Sequence, residues 1–230
     1  MIDLRNSCAV SGLKSLEAES IDMIFTDPPY RTISGGSGPT SIMHNRPSGM
    51  LSKNDGKIFQ HNNVGFDDYL PELFRVLKSG SHMYLMVNFL NLETAMFAIR
   101  TAGFDIHNLL IWRKNNSTPN RWYMKNVEYV LFARKGKAKA IRNNGSKTCH
   151  DFKNIIGNKT HPTEKPVDLI SHYIENSSNV GDLVLDPFFG TGSSAIAAVA
   201  LGRRFVGFEL GTEYFDVARD RLESLGFTIQ

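Results

Sequence analysis

The chain has 230 residues, 41% of them apolar, and a formal net charge of +3. That supports one full core, or one core with an insertion, and no apolar run reaches the roughly 20 residues of a membrane span. Two cysteines, Cys8 and Cys149, show no partner pattern, and Met1-Ile2-Asp3-Leu4-Arg5 has no signal-peptide character; the expected setting is a reducing cytoplasm, without disulfides, membrane or metal.

Residues 2–4 read as a short strand leading to Asn6-Ser7-Cys8, and a weak helical pattern lies near 13–16. The apolar run at 21–26 reads as a buried strand. It ends in Asp27-Pro28-Pro29-Tyr30, where two prolines stop both ladder and helix. An acid, backbone carbonyls and an aromatic ring are thus left at the carboxyl end of a strand, the edge where open α/β sheets bind ligands. Residues 31–57 hold five glycines and no apolar periodicity. So long a loop beside the site is either a lid that orders on substrate or a surface insertion.

Residues 67–78 read as a helix, with Asp67 and Asp68 in the first turn, an apolar stripe of Leu70, Leu73, Phe74 and Leu77, and Gly80 beyond its end. A strand at 83–87, a helix from about 91 to 102, and strands at 107–113 and 127–133 follow. Further on come a helix from 167 to about 176, a strand at 182–186, a small-residue helix at 195–200, and a strand at 204–209. The last helix, 212–225, opens with Thr212 as its cap and stops at Gly226. The alternation implies a mainly parallel sheet covered on both faces.

Between 113 and 147 the balance changes. Ten basic residues, among them Arg113, Lys114, Lys125, Arg134, Lys139 and Lys147, stand against one acid, Glu128, with Trp122, Tyr123 and several asparagines interleaved. Cations meet phosphates and amides read base edges, so segment 113–150 is expected to contact nucleic acid.

The strand at 182–186 runs into Gly190-Thr191-Gly192 and a helix, half of a dinucleotide fingerprint. Glu209, 17 residues past Gly192 and at the end of the next strand, can take both ribose hydroxyls. A pyrophosphate is disfavoured. The third glycine is Ala195, no Gly-Lys-Ser/Thr follows, and Asp186 would repel a phosphate while suiting an ammonium or sulfonium.

Asp27-Pro28-Pro29-Tyr30, His161-Pro162-Thr163-Glu164-Lys165-Pro166 and Asp186-Pro187-Phe188-Phe189-Gly190-Thr191-Gly192 together resemble the motifs of the S-adenosylmethionine (SAM)-dependent DNA amino-methyltransferases. Their order resembles the β-class, a circular permutation with the catalytic motif before the cofactor motif. The resemblance covers nearly the whole chain. It implies one α/β domain over 1–230, the Rossmann-like, seven-stranded class I SAM-dependent methyltransferase fold. The strands ending at Asp27 and Asp186 would be neighbours at its switch point, and the first strand would lie beside the one ending at Glu209.

In this family Asp27, Pro28, Pro29 and Tyr30 form the catalytic motif: Asp27 and the Pro28 carbonyl would accept the two N–H groups of a flipped adenine N6 in DNA, and Tyr30 would stack on the base. Cofactor contacts would come from Cys8, Asp27, Thr163, Lys165, Asp186, Phe188, Gly190, Thr191, Gly192, Ser193 and Glu209. Lys165 and Thr163 would hold the methionine carboxylate. Relatives often have Gly-Asp-Cys where this chain has Asn6-Ser7-Cys8, so the usual acid near the adenine is replaced by Ser7. A homodimer sharing DNA contacts is also implied. Cytosine N4, an RNA adenine and a non-enzymatic DNA-binding module stay open as alternatives.

Overall fold

The structure is a computed structural model that describes residues 1–29, 64–118, 122–137, 139–155 and 164–229. Tyr30, the expected lid at 31–57, and Thr163 with the rest of 156–163 lie outside the described residues.

The strands are β1 (Ile2–Asn6), β2 (Ile21–Thr26), β3 (Leu77–Val87), β4 (Asp105–Thr118), β5 (Lys125–Arg134), β6 (Cys149–Asp151), β7 (Leu183–Asp186) and β8 (Arg204–Glu209). The helices are α1 (Ala9–Lys14), α2 (Phe66–Val76), α3 (Leu92–Thr101), α4 (Val167–Ser177), α5 (Ser193–Ala200) and α6 (Thr212–Ser224). All the strands form one sheet in the order β1-β8-β7-β2-β3-β5-β4-β6. The eighth strand beyond the expected seven is β6, three residues long, which pairs with the edge of β4.

The first five strands in this order are parallel, as the strand–helix alternation predicts. β5 is antiparallel to both its neighbours. Only residues 119–124 separate β4 from β5, too few for the crossover that parallel pairing needs. Helices α1 to α3 pack on one face of the sheet and α4 to α6 on the other. The inner strands are therefore covered on both sides, which is why 21–26 and 183–186 are apolar runs rather than alternating ones. No described helix is long and apolar enough to cross a membrane.

Two local expectations change. The helix at 67–78 ends at Val76, because Leu77 turns extended (φ −71°, ψ 133°) and pairs with Ile21 as the first residue of β3. Gly80 does not stop a helix; at φ +82° it lets β3 bulge before its register with β2 resumes at His82. The last helix is not capped by Thr212. Its N-cap is Gly211, and the Thr212 hydroxyl instead donates to Asn6 Oδ1 at 3.1 Å, tying α6 to the end of β1.

Gly207 sits where β8 passes β7. A Cβ there would lie 2.7 Å from the Asp186 carbonyl oxygen and 2.7 Å from the Phe189 ring. The backbone atom cannot move without breaking the β7–β8 register, so only glycine allows this approach. Gly207→Ala is expected to lower stability by about 1–3 kcal/mol. Urea unfolding should show an earlier midpoint with the slope unchanged; an unshifted midpoint contradicts the packing described.

Candidate active site

The parallel pairing of β2 with β7, Met23 opposite Val184 and Ile24 opposite Leu185, puts the two motif-bearing strands side by side. From β2 the chain continues through α2 to β3 on one side; from β7 it continues through α5 to β8 on the other. The crevice outside their carboxyl ends is the switch point of the sheet, where ligands bind in open α/β folds. Asp27 is half-buried and Pro28 buried at this edge.

Asp27 belongs to a chain of alternating charges. Lys165 Nζ donates to Asp27 Oδ2 at 2.5 Å and lies 3.6 Å from Glu128 Oε2, while Lys114 Nζ donates to Glu128 Oε1 at 3.1 Å. The Lys165 side chain is only 11% exposed. Burial works against its charge, but Asp27 and Glu128 raise its pKa well above the usual lysine value. Burial likewise opposes ionisation of Glu128, yet Lys165 and Lys114 hold its pKa below the usual carboxylate value. Buried charges of this kind persist because each is matched by its neighbour.

The cofactor loop is built from backbone bends. At Gly190 (φ +54°) no atom of the described residues lies within 4 Å of where a Cβ would be. Gly192 (φ +85°) packs against α6, and a Cβ there would meet Ala218 at 2.9 Å. Glu209 accepts the Gly190 N–H at Oε2 (3.1 Å) and the Gly211 N–H at Oε1 (2.7 Å). Its carboxylate is thus held facing the loop. The Asp186 carboxyl accepts from the Phe188 N–H (3.0 Å) and the Ser194 hydroxyl (2.6 Å). Burial nevertheless pushes its pKa up to about 7.

Ser193 Oγ at the start of α5 is buried without a hydrogen-bond partner among the described residues. An open glycine, an oriented carboxylate, an orphaned hydroxyl and a buried acid receptive to a cation fit a phosphate-free, cationic nucleoside such as SAM.

Lys165 reaches this loop indirectly. Arg221 on α6 donates to the Thr191 carbonyl oxygen (2.7 Å) and hydroxyl (3.2 Å), and pairs with Glu164 at 2.8 Å. One guanidinium therefore ties the segment that carries Lys165 to the glycine loop. On the other flank the Ser7 N–H donates to the Glu209 carbonyl oxygen at 3.0 Å, and Cys8 is a half-buried free thiol at the start of α1.

Three residues around the site escaped sequence reasoning. Glu128 carried one signal, as the lone acid of a basic segment. Arg221 carried none. Nor did Tyr69, whose ring meets Phe188 edge-on at 5.0 Å and whose hydroxyl is buried with no hydrogen-bond partner among the described residues. Burial, then the charge of Asp27, raises the Tyr69 pKa.

The basic segment is also less basic at its surface than its composition indicates. Arg113 pairs with Asp151, Lys114 with Glu128, Arg134 with Asp105 and Lys135 with Glu19. The remainder divides between two places. Trp122, Tyr123 and Lys125 are exposed at the β4–β5 turn, towards the Asp27 edge, whereas Lys137, Lys139 and Arg142 follow β5 at the far end.

This fold and motif arrangement define a class I methyltransferase, with the catalytic strand before the cofactor strand in the chain. The chain belongs to the DNA methylase family, whose model matches residues 21–220. It is 31% identical over 236 residues to the Type II methyltransferase M2.DpnII of Streptococcus pneumoniae, covering 92% of this chain and 86% of that one. With M.HinfI of Haemophilus influenzae it shares 30% identity over 249 residues, 96% of this chain and 68% of the relative. The crystal structure of an M1.HpyAVI–SAM complex superposes with a TM-score of 0.72 at 25% identity, over 96% of this chain and 100% of that one. The protein is a SAM-dependent DNA amino-methyltransferase.

The Asp186 pKa has a consequence for stability. A carboxyl raised from 3.8 to about 7 keeps in the folded state a proton that the unfolded chain releases. Its contribution to stability therefore falls as pH rises from about 4 to 7, by up to about 1.4 kcal/mol per pH unit. Asp186→Asn removes this titration, so the variant should gain on the parent across that window. Chemical denaturation at stepped pH reads the difference; a flat difference contradicts the assignment.

Proposed function

We propose that this chain methylates the N6 amino group of adenine in DNA, using a base flipped out of the duplex. The observation that carries the reading is the placement of Asp27 and Pro28 at the carboxyl edge of β2, directly beside the strand that delivers Asp186 and the Gly190 loop. SAM, when bound, supplies the methyl group. Gly190, Thr191, Gly192, Phe188 and Ser193 would line its binding site, Glu209 would take the ribose hydroxyls, and Asp186 would face its cationic part. Cys8 and Ser7 lie on the adenine side by resemblance.

The exocyclic nitrogen is a poor nucleophile because its lone pair is delocalised into the ring. The Asp27 carboxylate and the Pro28 carbonyl accept its two N–H groups, draw it toward tetrahedral geometry and stabilise the positive charge that develops on attack. Proline has a fixed backbone and no competing N–H. By resemblance, Tyr30 would stack on the base. Lys165 donates to Asp27 Oδ2 and so orients the carboxylate that we assign to the amino group. Glu128, itself paired with Lys114, shares the single positive charge of Lys165. The same lysine, and Thr163 beside it, would also meet the methionine carboxylate.

Flipping costs a few kcal/mol. Contacts from the exposed Trp122, Tyr123 and Lys125 on the β4–β5 turn, and from segment 31–57, would offset it. A homodimer would extend these contacts.

Asp27→Ala is expected to lower methyl transfer by at least about a hundredfold while SAM affinity stays within a few-fold. Labelled SAM with duplex DNA, followed by nuclease digestion and mass spectrometry, measures the loss and names the base. Normal transfer by the variant, or methylcytosine as the product, contradicts the reading. Glu209→Ala should weaken SAM binding by about ten- to a hundredfold, as loss of charged hydrogen bonds does; calorimetry showing unchanged affinity removes Glu209 from the cofactor site.

A further inference from the structure

A second cavity of about 540 Å³ lies on the α4 face of the sheet, over β3, β5 and β4 and under the segment 139–148. It is not the methyl-transfer site. His82 on its floor stands three residues before Leu85, the partner of Thr26, and so about 10 Å further from the Asp27 edge. Its volume lies in the range of small-molecule sites.

The cavity is a built structure. The covering segment is pinned at both ends by imidazoles, since the carbonyl oxygens of Lys139 and Lys147 bond to His82 Nε2 and His150 Nε2. Asn176 on α4 holds its middle, accepting the Asn143 N–H at Oδ1 and donating from Nδ2 to Ser146 Oγ. On β4 the register with β5 slips between Ile106 and Asn108. This bulge brings the neighbours His107 and Asn108 both to the cavity wall, and bulges commonly re-aim side chains at sites.

The floor is aromatic. Phe132 is half-buried, stacks on Tyr84 at 4.8 Å and is met edge-on by His82 at 5.0 Å. Burial lowers the pKa of His82, His150 and His172, so these rings are mainly neutral near pH 7. Charge comes instead from Arg134, Lys139 and Lys147, and no carboxylate is among the described residues that line the cavity. Arg134 is only loosely engaged, 3.9 Å from Asp105, with its Nε buried and without a hydrogen-bond partner among the described residues.

We propose that this cavity is a second binding site, for a nucleotide: the base lies against Phe132 with Asn108 and Asn144 at its edge, and the phosphate meets Arg134, Lys139 and Lys147. An aromatic floor selects a planar ring, amides suit a base edge, and three cations with no lining acid select an anion. This assigns a ligand to the part of the basic segment that lies away from the Asp27 edge.

The test is isothermal titration calorimetry of the full chain with AMP, GMP, CMP and UMP in turn, each in the presence of saturating SAM to fill the cofactor site. We expect one of the four to bind at one per chain, at least tenfold tighter than its nucleoside and than inorganic phosphate. In the Lys139→Ala/Lys147→Ala double variant that affinity should fall at least tenfold, with SAM affinity and thermal midpoint unmoved. No binding once SAM is present, or phosphate binding as tightly as the nucleotides, overturns the proposal. So does displacement of the bound nucleotide by a short DNA duplex, which would make the surface part of the DNA track, or undiminished affinity in the double variant.

Discussion

Asp27 and Lys165 are 138 residues apart in sequence and share a 2.5 Å hydrogen bond. A charged group at a half-buried strand end cannot be left alone, because an unpaired charge out of water costs several kcal/mol. The pairing therefore constrains everything around it. Lys165 needs Glu128 as well, Glu128 needs Lys114, and these residues can meet only if β5 and β4 run alongside β3 in the register observed. The site is thus an electrostatic product of the mixed sheet, not of the tetrapeptide alone.

The cofactor half is held in the same way from the other side. Arg221 bonds both Thr191 and Glu164, so the last helix fixes the glycine loop and the segment bearing Lys165 to one another. Glu209 bonds the backbone at Gly190 and Gly211 and is adjacent through Ser7 to the end of β1. First and last strands, first and last motifs, converge on one crevice. This is how a circularly permuted chain arrives at the same crevice, since the contacts depend on which strands are neighbours and not on their order in the chain.

What could be read from the sequence was what is encoded locally. A strand that stops at two prolines, and a glycine turn between a strand and a helix, depend on a few adjacent residues. Asp27, Asp186 and Glu209 accordingly fall at the strand ends expected of them. What could not be read depends on register and long-range packing. Helix periodicity carries Leu77 into α2, but its pairing with Ile21 draws it into β3. Counting charges between 113 and 147 gives a basic face, yet Lys114 and Arg113 are spent on Glu128 and Asp151. The partner of Lys165 was expected to be a ligand carboxylate, and the sheet supplies two carboxylates of its own. Tyr69 joins the site only because α2 packs across Phe188, which no local pattern encodes.

The central claim is that the two sequence-distant motifs form one energetic unit through Asp27 and Lys165. A double-mutant cycle on folding stability, with Asp27→Asn, Lys165→Met and the double variant measured by urea denaturation at neutral pH, addresses it directly. The account predicts that the two single losses are not additive, with a coupling energy of about 0.5–3 kcal/mol. Additive losses, with coupling near zero, would contradict it.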